Sequence, residues 1–131
     1  MELNDIVVIS GCRTAMGKFG GTLKDISACD LGSIAIREAI KRASLTGEQI
    51  DDVILGNCRQ AGNGVNPART AAVRGGVSTS VPVITLNMAC PSGMRSVALA
   101  ANSIRLGQTE VMVTGGFDSM SSIPYLLKNV R

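Results

Sequence analysis

The stretch VPVITLNMACPSGMRSVALAANSIRLG, residues 81–107, decides the fold class of this 131-residue chain. It opens with the β-branched run Val81 to Leu86, which is typical of a buried strand. After a short turn the apolar residues recur at helical spacing, and Gly107 ends the helix. The apolar face of this predicted helix, Pro91 to Leu106, consists of Met94, Val97, Ala98, Ala101 and Ile104. A strand that leads into a helix predicts one unit of an α/β sheet.

The same alternation continues on both sides of this unit. Three more short apolar runs predict strands, at Ile6–Ser10, Val53–Gly56 and Val111–Thr114. Between them the sequence predicts a helix from Asp30, capped by Ser27 or Asp30, a capping box over residues 46–49 and a short helix over residues 66–74, opened by Pro67. Alternating strands and helices predict a mostly parallel sheet with right-handed crossovers, covered by helices on both faces.

Composition argues against several classes of protein. The 13 basic and 10 acidic residues are interspersed, so no basic run would follow a nucleic-acid backbone. No apolar run reaches the ~18 residues that span a bilayer. The residues Met1 to Asp5 carry acids where a secretory signal needs basic residues, so a cytoplasmic enzyme is expected. The four cysteines form no Cys-x-x-Cys pair and the chain has no histidine, so no metal site is expected.

Cys90 is the candidate nucleophile. It follows a strand and precedes Pro91, and if Pro91 is the first helical residue, Cys90 is the N-cap. Unpaired amides and the positive end of the helix dipole stabilise a thiolate at that position. Ser92 and Gly93, in the first turn, allow another backbone to approach closely. The turn alone is equally compatible with a small buried cysteine that has no chemical role.

Other chemistries do not match the same residues. A Cys-x5-Arg phosphatase loop needs arginine at position 96, but the arginine is Arg95. A hydrolase elbow about Ser92 needs glycines where Cys90 and Met94 stand. A cysteine protease needs a histidine, and no Gly-x-Gly-x-x-Gly follows the first predicted strand. These exclusions favour acyl transfer.

Four stretches, in order, resemble the N-terminal segment of the thiolase family, acyltransferases that act on coenzyme A thioesters. They are Arg13–Gly21, Gly56–Arg69, Asn87–Met94 and Gly115–Ser121. The resemblance implies that Cys90 accepts an acyl group from acyl-CoA and passes it to a second acyl-CoA or to CoA. It implies no permanently bound cofactor, only a coenzyme A thioester as substrate.

The resemblance also assigns supporting residues and domain bounds. Around the nucleophile, the turn is supported by Asn87, Ala89, Pro91, Ser92 and Gly93, and Met120 is expected to line the pocket near it. Residues 1–118 would form the thiolase N-terminal α/β domain and residues 119–131 the start of the family's inserted loop segment. Asp118 stands where the family often has glutamate, and both a structural and a catalytic role are open for it. We expect Gly62 and Gly64 to shape the backbone. Cys12, Cys29 and Cys58 are expected to be packing or loop residues.

The family's catalytic histidine and second cysteine belong to a C-terminal half that has no counterpart in these 131 residues. The resemblance therefore implies a fold incomplete without a partner, because the family's sheet has a fifth strand and Val111–Thr114 or its neighbour would expose an unpaired edge. The leading hypothesis is the small subunit of a split thiolase, completed by a separate thiolase-like polypeptide and self-associating through the third strand. The alternatives are a non-catalytic scaffold or binding subunit and a truncated remnant.

Overall fold

The structure, a computed structural model, describes residues 6–130. Residues 1–5 of the predicted domain, and Arg131 at the end of the predicted loop segment, lie outside them. The helices are α1 (Ala28–Arg42), α2 (Pro67–Arg74) and α3 (Ser92–Arg105), and the strands are β1 (Asp52–Gly56), β2 (Val83–Leu86) and β3 (Met112–Gly116). Short 3-10 turns cover Gly47–Gln49 and Met120–Ser122.

The three strands form a parallel sheet in the order β2-β1-β3, with Val53 paired to Val83 on one side and to Val113 on the other. Val53 and Leu55 of β1 face a core that includes residues of α1 and α2, such as Ile36 and Ala71. The opposite face of β1 lies against α3, because Gly56 contacts the backbone of Ser92 and Gly93. The predicted α/β fold, a parallel sheet covered by helices, is confirmed.

The prediction of a strand at Ile6–Ser10 is wrong for the described residues, where this segment pairs with no strand. Its chain is held beside α1 instead, because the Ser10 hydroxyl donates to the Ala39 carbonyl at 2.7 Å and the Cys12 thiol to the Ala35 carbonyl at 3.0 Å. The segment and β3 both line one cavity, and no ladder forms between them. Val8 is consequently 84% exposed.

The predicted Ser27 cap of α1 and the predicted Pro67 start of α2 are confirmed. The Ser27 hydroxyl accepts from the Asp30 N–H at 3.1 Å and begins α1. Pro67 is the first residue of α2, where the Asn66 side chain accepts from the Arg69 N–H at 3.0 Å. Because these caps satisfy free amides locally, the sequence pattern is enough to locate both helices.

Helix α3 forms where expected but buries a different face. Ser92, Ser96 and Ala100 are buried, whereas Met94 of the predicted apolar face is 80% exposed. The small residues let the helix approach the sheet, and the Ser96 hydroxyl lies 3.0 Å from both the N–H and the carbonyl of Gly115. The bulky apolar face is therefore left uncovered within the described residues. Among residues 6–130 no helix has the length and apolar character needed to cross a membrane.

Candidate active site

The carboxyl ends of the three strands bring the candidate residues together. β1 continues into Asn57, β2 into Asn87 and β3 into Phe117. Because the strands are parallel, these exits lie together at the end of the sheet where the carboxyl ends of the strands meet. Ligands bind at this end of the sheet in α/β proteins. We call residues 87–93 the Cys90 turn and residues 57–59 the β1 exit loop.

Side-chain hydrogen bonds fix the backbone of the Cys90 turn. The Asn87 Oδ1 accepts from the Ala89 N–H at 3.0 Å. The Ser92 hydroxyl accepts from the Met88 N–H at 2.8 Å and donates to the Ala89 carbonyl at 2.5 Å. Ala89 adopts a positive φ of 56°, which is uncommon for a residue with a side chain. The bonds from Asn87 and Ser92 on its two sides hold this conformation directly before Cys90.

The helix begins one residue later than the sequence predicts. Pro91 is the N-cap of α3, because its carbonyl accepts the first helical bond, from the Arg95 N–H at 2.9 Å. Cys90 therefore precedes the cap instead of forming it, and its side chain is exposed. Pro91 fits this position because it has no N–H to leave unpaired.

Three glycines join the Cys90 turn to the sheet. A Cβ atom on Gly56 would lie 2.6 Å from the Gly93 nitrogen, and one on Gly116 would lie 3.0 Å from the Gly93 Cα. A Cβ atom does not tolerate 2.6 Å to backbone, so only glycine fits at position 56, and at position 116 a Cβ would make an unusually tight contact. The close approach expected at Gly93 is confirmed, and its partners are the ends of β1 and β3.

The four cysteines differ in environment. Cys29 is buried, and burial raises the pKa of its thiol. Burial also raises the pKa of the Cys58 thiol, with further contributions from its hydrogen bond to Asp118 and the charge of that carboxylate. Cys12 is half-buried and donates to a helix carbonyl. Only Cys90 is exposed, so it is the thiol most accessible to a substrate.

Asp118 organises the β1 exit loop. Its Oδ1 accepts from the Asn57 Nδ2 and the Arg59 N–H, both at 2.9 Å, and its Oδ2 lies 3.2 Å from the Cys58 sulfur. Asn57 is fully buried and also donates to the Phe117 carbonyl at 2.8 Å. Sequence reasoning did not single out Asn57, and it predicted Cys58 only as a packing or loop residue. The signal was that Asn57 and Asp118 each follow a strand, and neighbouring parallel strands end at one edge.

Met120 lines a cavity beside the residues that follow β3, and its role as a pocket residue stays a prediction. It is half-exposed, and the walls of this cavity, between residues 12–19 and residues 116–121, include no residue of the Cys90 turn. The glycines of the long loop after β1 act as expected, since Gly62 and Gly64 have φ angles of 83° and 88°. Within residues 6–130, no three His, Cys, Asp or Glu side chains cluster as a metal site would require.

Comparison with known proteins identifies the family. A family profile described as "Thiolase, N-terminal domain" matches residues 6–131. The chain belongs to the thiolase family. An acetyl-CoA acetyltransferase of Cupriavidus necator is 45% identical over 129 residues, which make up 98% of this chain and 33% of that thiolase relative.

Other relatives give the same result. The mitochondrial acetyl-CoA acetyltransferase of Xenopus tropicalis is 45% identical over 125 residues, covering 95% of this chain and 30% of the relative. The acetyl-CoA acetyltransferase of Escherichia coli is 46% identical over 125 residues, covering 95% of this chain and 32% of the relative. This thiolase chain therefore spans about a third of the length of the curated relatives it matches.

Proposed function

We propose that this chain is the nucleophile-bearing subunit of a split thiolase and transfers an acyl group through an acyl-Cys90 intermediate. The observation that carries the proposal is the Cys90 turn. An exposed thiol follows a residue of positive φ, one position before the N-cap of a helix and at the carboxyl edge of a parallel sheet. The thiolase family and the acetyl-CoA acetyltransferase relatives make acyl-CoA the expected substrate.

The proposed chemistry is thioester exchange. The Cys90 thiolate attacks the carbonyl carbon of acyl-CoA, the bond to the CoA sulfur breaks, and CoA leaves as a thiolate that takes up a proton. In the synthetic direction the enolate of a second acyl-CoA attacks the acyl-Cys90, and the Cys90 thiolate is released. In the degradative direction the Cys90 thiolate attacks the 3-keto carbon of a 3-ketoacyl-CoA, the carbon–carbon bond breaks, and the acyl-CoA enolate that leaves takes up a proton. The CoA thiolate then attacks the acyl-Cys90 and releases the Cys90 thiolate. A thiol suits this exchange because attacking and leaving groups are of one chemical kind.

The turn limits which of its amides can stabilise the developing oxyanion. The amides of Met88, Ala89 and Ser92 already donate within the turn, and Pro91 has no N–H. The Cys90 N–H makes no hydrogen bond within the described residues, so it is available to an oxyanion. Further donors would come from the partner.

The proposed partner is a separate thiolase-like polypeptide that supplies the loop domain, the histidine and the second cysteine. Three observations support it. The chain spans about a third of its relatives, it contains no histidine, and the bulky face of α3 is uncovered in the described residues. Removing a proton to form the enolate needs a general base, and these residues offer no histidine to act as one. We also propose that the N-terminal α/β domain comprises residues 1–118 and that residues 119–131 begin the family's inserted loop segment.

We propose that part of the partner binds beside β3, at the edge of the sheet. Of the described strands only β1 pairs with β3, which leaves the other edge of β3 unpaired. An apolar cavity of about 170 Å³ lies between β3 and the segment Ile6–Ser10, with residues of α1 and α3 in its walls. An unpaired edge beside apolar walls fits an added strand. The free edge of β2 is the proposed site of self-association.

The test is purification of the tagged chain from its native source, followed by assay of acetoacetyl-CoA cleavage. We expect a thiolase-like polypeptide to copurify and the complex to be active. Replacement of Cys90 by Ala should lower activity by about a thousandfold or more. A chain that is stable and monomeric without such a partner contradicts the split enzyme.

Two other functions are distinguished by the same assay and by the neighbouring reading frame. If the complex with Cys90→Ala keeps full activity, the chain is a non-catalytic scaffold or binding subunit. If the reading frame beside the gene encodes the missing C-terminal half, with the family's catalytic histidine and second cysteine, without yielding a protein, the chain is a truncated remnant. A cytoplasmic location remains a prediction, which fractionation of the source cells would check.

A further inference from the structure

The Cys90 turn has few connections to the remainder of the molecule on its N-terminal side. The Asn87 Nδ2 donates to the Cys58 carbonyl at 3.2 Å, and the Asn87 Oδ1 accepts from the Ala89 N–H. One side chain therefore links the β1 exit loop to the residue of positive φ before Cys90. The position of the Cys58 carbonyl consequently affects the position of the nucleophile.

The Cys58 carbonyl is in turn fixed by Asp118. This carboxylate receives the N–H of Arg59 at 2.9 Å and that of Cys58 at 3.4 Å, so it holds the peptide units on both sides of the Cys58 Cα. It also receives the Asn57 Nδ2. Hydrogen bonds to an ionised acceptor are stronger than neutral ones, so the loop is held more firmly by a carboxylate than by an amide.

From this arrangement we infer that Asp118 is a positioning residue for Cys90, acting through the Cys58 carbonyl and the Asn87 side chain. The inference rests on the proposed role of Cys90. Asp118 itself contacts the β1 exit loop and none of the reacting atoms. It fixes the geometry of the thiol without taking part in proton transfer.

The same carboxylate has a second effect on its neighbour. The Cys58 thiol donates to Asp118 at 3.2 Å, and burial together with this bond keeps the pKa of Cys58 above that of an ordinary thiol. A protonated Cys58 is a poor nucleophile and places no second negative charge near Cys90. Asp118 thus restricts acyl transfer to one of two neighbouring thiols.

The test compares Asp118→Asn with Asp51→Asn in the purified complex. Asp51 is a matched control, because its carboxylate also accepts two backbone N–H groups, from Glu110 and Val111 at 2.8 Å. It lies at the opposite end of the sheet, where the strands begin. We expect Asp118→Asn to lower kcat by about tenfold to a hundredfold with little change in KM, as for a misplaced reacting group. Asp51→Asn should leave kcat within about twofold of the parent enzyme.

Two further readouts separate positioning from mere stabilisation of the fold. Asn87→Ala should lower kcat similarly, and the double variant with Asp118→Asn should be no worse than the poorer single variant, because both act on one path. Asp118→Asn should also make Cys58 react faster with iodoacetamide at neutral pH, whereas Asp51→Asn should not.

The outcomes distinguish this inference from the proposed function. If Cys90→Ala abolishes activity but Asp118→Asn keeps the parent kcat, Cys90 is catalytic and the positioning role is wrong. Additive losses in the double variant would also overturn it. If Cys90→Ala keeps full activity, the proposed function itself fails, and the positioning role fails with it.

Discussion

The β1 exit loop and the Cys90 turn, which is the exit of β2, have similar sequences but different environments. Each strand is followed by an asparagine, and each asparagine is followed within three residues by a cysteine. Asn57 is fully buried and bonded to the residues after β3, while Asn87 is exposed and bonds within its own turn and to Cys58. The difference shows how one end of the sheet can hold one thiol in a hydrogen bond while it presents another to solvent.

The largest effect is expected where the two exits touch. Gly56→Ala would bring a methyl group within 2.6 Å of the Gly93 nitrogen, so the β1 exit and the Cys90 turn would be forced apart. We expect a loss of about 3 kcal/mol in the free energy of unfolding, measured by urea denaturation. Gly11→Ala is the control, because a Cβ there meets nothing within 4 Å. Equal losses for the two variants would refute the contact.

The two asparagines provide the next comparison. Asn57→Ala removes two hydrogen bonds at a buried position, although its Oδ1 has no partner in the described structure and its removal recovers part of that cost. We expect a net loss of about 2 kcal/mol in stability, against about 0.5 kcal/mol for the exposed Asn87→Ala. Chemical denaturation of both variants measures the difference. A larger loss of stability for Asn87→Ala than for Asn57→Ala would contradict this expectation.

Ser92 tests how the β2 exit keeps its conformation. Ser92→Ala removes the hydroxyl that bonds both the Met88 N–H and the Ala89 carbonyl, so the positive φ of Ala89 loses its support. We expect a cost of about 1 kcal/mol in stability, together with altered alkylation of Cys90. Ser103→Ala, on the same helix, is the control. If iodoacetamide alkylates Cys90 at the parent rate in both variants, the Ser92 hydroxyl does not hold the turn.

The smallest effect is a difference in the pH dependence of alkylation. The pKa of the Cys58 thiol is raised, so its thiolate forms only at a pH above that of an ordinary thiol. Iodoacetamide reacts with the thiolate, so Cys58 should be modified appreciably only in alkaline solution and after Cys90. Peptide mapping across a pH series measures both rates. Modification of Cys58 before Cys90 at neutral pH would contradict the assignment.

Local patterns in the sequence were enough to predict most of the fold. The Ser27 cap and the Pro67 start each use groups close together in the chain, so their positions follow from the sequence alone. The segment Ile6–Ser10 failed as a strand because pairing requires a neighbouring edge, and its own residues carry no information about that edge. The face of α3 failed for a related reason, since Ser96 is buried by a bond to Gly115 on another strand.

The candidate site divides in the same way. Cys90 could be found from the sequence, because its turn lies between a predicted strand and a predicted helix. The exact helix start could not be found, since it depends on which carbonyl accepts the Arg95 N–H. The role of Asp118 could not be found either, because the carboxylate is 60 residues from the Cys58 it contacts. Long-range contacts such as this one appear only when the strand order is known.

The most direct test of the account is to trap the acyl group on the chain. The complex is incubated with acetyl-CoA labelled with ¹⁴C in the acetyl group, quenched in acid, digested and mapped by mass spectrometry. We expect one acetyl group on the peptide that contains Cys90 and none on the peptide that contains Cys58. Acetylation of Cys58, or of neither cysteine in an active complex, would contradict the claim that the β2 exit carries the nucleophile.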